Sequence, residues 1–182
     1  MPPRAGVGLA AVQIAKACGA RVIAAATGPE KRALVAANGA DVAIDYKAED
    51  FAEVVMAATD GKGADIILDS VGGEITAKSL RCIAWQGQLL IVGFSSGEIP
   101  KIAANRLLLR RATARGIYWD HDRDPEMVSR CTEKLIALCL DRSIKPVVSD
   151  GYGFEDLPRA LEDLRASGTV GKLILNVLDG EV

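Results

Sequence analysis

The stretch that most constrains this chain is Ala5-Gly6-Val7-Gly8-Leu9-Ala10-Ala11-Val12-Gln13-Ile14-Ala15-Lys16, which reads as a glycine turn feeding directly into an amphipathic helix. Gly6, Gly8 and Ala11 fit the G-x-G-x-x-G/A spacing of a dinucleotide-binding turn. Small residues are needed there because the backbone must turn tightly, admit a pyrophosphate and let a helix pack close to a sheet. The phosphates then rest on the free N–H groups and positive dipole end of that helix. Such a turn normally follows a buried strand, whereas only Met-Pro-Pro-Arg precedes it here. Proline cannot donate to a central ladder, so the sheet is expected to lack its first strand.

Downstream, short apolar runs alternate with helical patterns. A helix is expected over 7–18 with Gly19 as its stop, a strand over 21–26, and a helix opening at Pro29, where a missing N–H costs nothing. A strand over 41–45, a helix over 48–58, a strand over 64–69, a helix over 74–83 and a strand over 88–93 follow. This alternation predicts an α/β fold: a doubly wound, Rossmann-like parallel sheet covered on both faces, with ligand residues at the strand ends. Without its central first strand, that sheet would be split and would expose apolar edges. Beyond Ser95 the pattern changes to a short basic helix or turn over 105–111, a strand over 113–119 and an amphipathic helix over 124–140. A strand over 145–148, a helix over 155–166 and a strand over 172–177 complete the chain.

Composition excludes several function classes. The net charge of -2 predicts no general affinity for nucleic acid or anionic membrane. No apolar run approaches the roughly 20 residues of a membrane helix, and the N-terminus lacks a secretory core, so a cytoplasmic location is expected. Cys18, Cys82, Cys131 and Cys139 lie far apart without a His/Cys cluster, which predicts buried small hydrophobes or spare thiols and no metal site. The one histidine, His121, sits in the charged run Asp120-His121-Asp122-Arg123-Asp124 and reads as a solvated surface residue. No dedicated catalytic acid, base or nucleophile stands out.

Charge selects the nucleotide. A turn that prefers NAD carries Asp or Glu about 20 residues on, to hold the ribose hydroxyls. Here that position is Thr27-Gly28, followed closely by Lys31 and Arg32. A hydroxyl and a cation bind a 2′-phosphate that a carboxylate would repel, so NADP(H) is expected.

Further motifs follow in order: Ile44-Asp45-Tyr46-Lys47, Asp69-Ser70-Val71-Gly72-Gly73, Val92-Gly93-Phe94-Ser95-Ser96-Gly97-Glu98-Ile99-Pro100, Tyr118-Trp119 and Thr169-Val170-Gly171-Lys172. With the glycine turn they resemble the zinc-independent (zeta-crystallin-like) quinone oxidoreductases of the medium-chain dehydrogenase/reductase superfamily, nearly end to end. The resemblance implies hydride transfer from NADPH to a quinone or activated alkene. It implies that Gly6, Val7 and Gly8 hold the pyrophosphate and that Thr27, Lys31 and Tyr46 surround the 2′-phosphate. It also implies that Ser70 and Val71 border the cofactor and that Gly93, Phe94 and Ser95 lie against the nicotinamide ribose and ring. Tyr118 and Trp119 would flank the substrate mouth, and Lys172 would approach the cofactor. The same resemblance implies an incomplete NADP-binding domain over 5–150. Residues 151–182 would be a helix-strand segment returning to a GroES-like substrate domain that is missing here. A homodimer would pair through the strand at 113–119, against which Arg115 stands as an oddity. The expected origin is the C-terminal portion of a longer enzyme, with a partner-completed protein or an inactive remnant as alternatives. The rival functions are an enoyl reductase of the same superfamily and a non-catalytic NADPH-binding or interaction protein.

Overall fold

Local signals set most element boundaries in the computed structural model, which describes residues 5–149, 151–165 and 171–177. Helix α1 (Ala5–Ala17) is followed by Gly19 in the left-handed region, strand β1 (Ile23–Ala26) and helix α2 (Gly28–Ala37), with Pro29 in its first turn. Strand β2 (Val42–Asp45) leads to α3 (Phe51–Ala58). The latter starts three residues later than the apolar pattern suggests, because the Asp50 side chain accepts the Ala52 N–H and caps it there. Then come β3 (Ala64–Asp69), α4 (Gly73–Ser79), β4 (Ile83–Ile91), α5 (Ala104–Arg110) and β5 (Thr113–Gly116). Helix α6 (Pro125–Leu140) is capped by Asp124, whose side chain accepts the Met127 N–H. The last described elements are β6 (Tyr152–Gly153), a 3-10 turn (Phe154–Asp156), α7 (Leu157–Arg165) and β7 (Leu175–Asn176).

Every pairing is parallel, as the alternation requires. Yet the strands form separate ladders: β1 with β2, then β3-β4-β5 in that order, and β6 with β7. β1 and β3 each keep one unpaired edge among the described residues. What joins the two larger sheets is packing. Ile44, Phe51, Ala52, Val55 and Cys82 form one buried cluster, and Ile23, Val42, Ala64 and Ile67 pack on it from both ladders. A second cluster seats α1 on β1 through Val12, Val22 and Ala24, and a third surrounds the fully buried Ile83 and Leu89 of β4. Burial of each such side chain stabilises by roughly 1.5–3 kcal/mol.

Several expectations are corrected. The helix over 74–83 ends at Ser79, because Ile83 already pairs with Ala64 in the β-ladder. Strand β4 then bulges at Gln86, whose φ is 61°, before Gln88 pairs with Ile66. That Gln-Gly punctuation disguises one strand as two elements. The strand over 113–119 is ordered into a ladder only to Gly116, and the strand over 145–148 reduces to a single bridge between Val148 and Lys172. Coverage of both faces fails on β3: Ile66 and Leu68, which alternate to one side, are exposed. No residue of α6 is buried, and its apolar Leu135, Ile136 and Leu140 are exposed. The end of the helix expected over 155–166, the residues before Ala5, and Thr169 and Val170 lie outside the described residues. Among the described residues, no helix is long and apolar enough to cross a membrane.

Candidate functional site

In a parallel α/β unit the helix N-termini and the strand C-termini meet on one side, and the residues singled out from sequence sit on that side. The first group is the start of α1. Gly6 and Gly8 lie inside the first turn of the helix, not in a turn ahead of it. Glycine in a helix costs about 1 kcal/mol relative to alanine, so its presence twice in one turn asks for close approach. A Cβ on Gly8 would meet nothing within 4 Å, and a Cβ on Gly6 would stand 3.2 Å from Cε and 3.3 Å from Nζ of Lys172. Val7, between them, is exposed. The helix therefore presents free N–H groups at an open surface, with the Lys172 ammonium stationed beside them.

The second group gathers at the ends of β1 and β2. Thr27 occupies the N-cap position of α2 without a side-chain capping bond. Gly28, at φ 75°, turns its N–H onto Oδ2 of Asp45 at 3.1 Å. The Gly28 and Lys47 N–H groups hold the Asp45 carboxyl below its ordinary range, and the charge of Arg32 acts in the same direction. An acid thus does stand at this strand end, supplied by β2, where spacing along β1 could not reveal it. Asp45 already answers the positive end of α2. Arg32 Nε is buried without a hydrogen-bond partner among the described residues. Lys31 lies half-buried in the first turns of α2, and Tyr46 follows Asp45 directly. Burial pushes the Tyr46 hydroxyl upward, with the Asp45 charge adding to the effect.

The third group is built around Asp69, a residue that sequence reasoning left without a role. It is 3% exposed at the end of β3. Its Oδ1 accepts the Val71 N–H at 2.8 Å and the Gly72 N–H at 3.0 Å, and its Oδ2 accepts the hydroxyl of the buried Thr76. The loop so formed is zipped to the loop after β4. Ser95 N–H donates to the Ser70 carbonyl at 3.0 Å, Ser96 N–H to that of Val71 at 2.9 Å, and Gly73 N–H to that of Glu98 at 3.1 Å. Gly72 must be glycine: its φ is 81°, and a Cβ would sit 2.6 Å from the Glu98 carbonyl oxygen. Between the two loops, Gly93 leaves room beside Ser70, and Phe94 is 43% exposed instead of joining the core. Ser95 Oγ is buried with no hydrogen-bond partner among the described residues. A buried hydroxyl without a partner costs roughly 1–3 kcal/mol, a cost that a ligand hydroxyl or amide would remove. The open glycines, the ammonium at the helix start and this orphaned hydroxyl fit a dinucleotide.

Elsewhere the chemistry is sparse. Tyr118 and Trp119 are 86% and 69% exposed on the segment after β5. His121 is exposed beside Asp122. Of the buried hydrophobes and spare thiols expected, Cys18, Cys131 and Cys139 are exposed thiols and Cys82 is buried, and burial pushes its thiol up to about 11. Among the described residues, no three His, Cys, Asp or Glu side chains gather as metal ligands.

Known proteins place this geometry in context. Residues 6–137 match the family model described as zinc-binding dehydrogenase. The chain is 37% identical over 174 residues to a quinone oxidoreductase-like protein 2 homolog of Nematostella vectensis, covering 93% of this chain and 47% of that protein. It is 33% identical to a quinone oxidoreductase of Pseudomonas aeruginosa, covering 93% and 53%. Among solved structures it resembles the Escherichia coli quinone oxidoreductase complexed with NADPH, at a TM-score of 0.79 and 29% identity over 94% of this chain and 54% of that one. The Pseudomonas syringae quinone oxidoreductase gives a TM-score of 0.84 at 29% identity, over 96% and 55%. The chain spans about half the length of the curated relatives it matches.

Proposed function

The chain belongs to the zinc-binding dehydrogenase family, within the quinone oxidoreductase group of the medium-chain dehydrogenases and reductases, and from that premise we propose that it binds NADPH as the cofactor portion of a reductase acting on a quinone or activated alkene. The observation that carries the proposal is the Lys172 side chain lying against Gly6 at the N-terminal turn of α1. A cation at the positive end of a helix is disfavoured until an anion joins it. A pyrophosphate on the N–H groups of Gly6, Val7 and Gly8 would satisfy both charges.

The remaining residues take roles from their positions. Lys31, Thr27 and the Tyr46 hydroxyl are the donors for a 2′-phosphate, with Arg32 added by its buried position. Asp45 is turned onto Gly28, its negative charge answered by backbone N–H groups. Ser70 and Val71, held by Asp69, form the floor, and Gly93, Phe94 and the orphaned Ser95 hydroxyl face the ring end. When bound, NADPH supplies the hydride; the protein positions it and excludes water.

Residues 5–150 form an incomplete cofactor domain in this proposal, and 151–182 belong with a GroES-like substrate domain. The unpaired edges of β1 and β3, with Ile66 and Leu68 exposed beside them, suit a further parallel strand between the two ladders. A homodimer would use the outer edge of β5, beyond which Ile117, Tyr118 and Trp119 are exposed.

The test compares NADPH and NADH affinity in the parent chain and in Lys31→Glu. A lost charge-assisted phosphate contact is worth roughly 1.5–3 kcal/mol, so NADPH should weaken by about tenfold or more while NADH is unchanged. Equal affinities for both nucleotides in both proteins would sink the proposal. The exposure of Phe94 favours one second reading, cofactor binding without turnover. NADPH binding with no quinone-dependent oxidation would select it.

A further inference from the structure

Gln13 lies two turns along α1 from Gly6, on the flank of the helix that meets the segment after α6. Its side-chain amide grips a single residue of that segment from both sides. Nε2 donates to the Lys145 carbonyl at 2.8 Å, and Oε1 accepts the Lys145 N–H at 2.9 Å. The second Nε2 proton goes to Oδ1 of Asn38, which closes α2 and is itself anchored to the Leu34 carbonyl at 2.8 Å. Both donors of the amide are spent, and one side chain ties α1 to α2 and to a residue 132 positions away.

From Lys145 the connection continues mainly through backbone, with the Ser149 hydroxyl also donating to the Lys172 carbonyl at 3.3 Å. Lys172 N–H donates to the Val147 carbonyl at 2.8 Å, Ser149 N–H donates to the Lys172 carbonyl at 2.8 Å, and Val148 bridges Lys172 in parallel. Gly171 permits this approach, since its φ is 74° and a Cβ there would lie 2.2 Å from the Val147 carbonyl oxygen. The Lys172 stem then reaches back to Gly6. A small, partly open cavity of about 80 Å³ lies between the two segments, bounded by Leu9, Ala10, Gln13, Ile144, Val147 and Lys172 among others. Lysine is a flexible, strongly hydrated cation. Its ammonium lies at the helix end where the backbone at 172 comes close to α1, and among the described residues Gln13 supplies a polar fastening of that segment.

We propose that Gln13 is a positioning residue: by gripping the Lys145 peptide it stations the Lys172 ammonium at the N-terminus of α1, where it binds the pyrophosphate of the nucleotide. This rests on the cofactor reading above, and the two are separable by experiment.

The experiment uses the full chain, with Gln13→Met, Lys172→Met and the double variant titrated with NADP⁺ at several salt concentrations. Methionine preserves side-chain length and helix propensity. Each single substitution is expected to raise Kd on the order of tenfold and to flatten its salt dependence, as loss of one charge-assisted contact does. The double variant should bind no more weakly than Lys172→Met alone, because the glutamine acts through the lysine. Without nucleotide, amide exchange at Lys172 and Ser149 should quicken in Gln13→Met. Gln13→Glu keeps the bond from the Lys145 N–H and loses the donations to the Lys145 carbonyl and to Asn38. It should give an intermediate Kd and serves if Gln13→Met fails to fold. A parental Kd in Gln13→Met, or additive losses in the double variant, overturns the positioning role and leaves the cofactor site standing. A parental Kd in Lys172→Met overturns the cofactor reading and this proposal with it.

Discussion

Replacing Asp69 separates the scaffold of the site from its ligand contacts. The carboxylate is 3% exposed and accepts three hydrogen bonds: the Val71 N–H at 2.8 Å, the Gly72 N–H at 3.0 Å and the hydroxyl of Thr76, which is itself 0% exposed. Asp69→Ala removes both acceptor oxygens and leaves a buried hydroxyl and two N–H groups without their bonds. An unsatisfied buried group costs roughly 1–3 kcal/mol, and neighbouring losses are not additive, so the total should be about 3–5 kcal/mol. Asp69→Asn differs in kind. Its carbonyl oxygen can still accept from Val71 and Gly72, while its amide can donate to Thr76, whose hydroxyl rotates to accept. That variant loses charge assistance but no partner, for a cost of about 1–2 kcal/mol. Urea unfolding midpoints read the stability of both, and NADP⁺ titration reads the loop, which should bind weakly in Asp69→Ala at temperatures where the chain is still folded. Equal destabilisation by Ala and Asn, or a cost below about 1 kcal/mol for Ala, would refute the hydrogen-bond account.

Other predictions concern the surface and pH. Ile117 donates its N–H to the Ile91 carbonyl at 2.8 Å, so proline there would damage the chain's own ladder. Ile117→Asp keeps that bond and should convert a dimer formed through the β5 edge to monomer by light scattering; an unchanged dimer excludes that edge. Thiol titration of the folded chain should show three fast cysteines and a slow Cys82, whose thiol is pushed up to about 11 by burial; four thiols reacting in one phase would contradict the structure. The Arg81 hydrogen bond holds the Asp50 carboxyl low, and the Val22 N–H does the same for Asp41, ahead of Lys16. Depressed carboxylates contribute stability above their unfolded value of about 4 and lose it as pH falls through the folded one. Unfolding midpoints should therefore drop below pH 4, and less steeply in Asp50→Asn; an unaltered slope in that variant would remove Asp50 from the account.

The candidate site was legible in proportion to how local its signals are. Gly6 and Gly8 stand out because their spacing along one helix is what a phosphate needs. Ser95 belongs to a motif whose order along the chain could be read, but the orphaned state of its hydroxyl depends on the Ser70 loop packed across it. Asp69 was visible only as a letter in Asp-Ser-Val-Gly-Gly; the Thr76 hydroxyl seven residues on is the one local hint of its bonding. Asp45 is hidden from spacing because the position about twenty residues beyond the glycine turn is Thr27-Gly28, whereas β2 delivers an acid sideways to Gly28. Cysteine is on average among the most buried residue types, yet three of four thiols here are exposed, two of them on α6, which has no buried residue at all.

By itself the amino-acid order determined the alternation of parallel strands and helices and the dinucleotide pattern, since periodicity, caps and glycine spacing act within a few residues; the family was legible only as a resemblance carried by several motifs in order. The split of the sheet is expected from the sequence, and the tertiary structure meets it; only the tertiary structure decided that the two larger ladders share a core around α3. It alone brought Gln13 to Lys145 and Lys172 to Gly6. The reason is physical: a side-chain amide has the same bonding capacity wherever it sits, and which distant peptide satisfies it depends on how the segments pack.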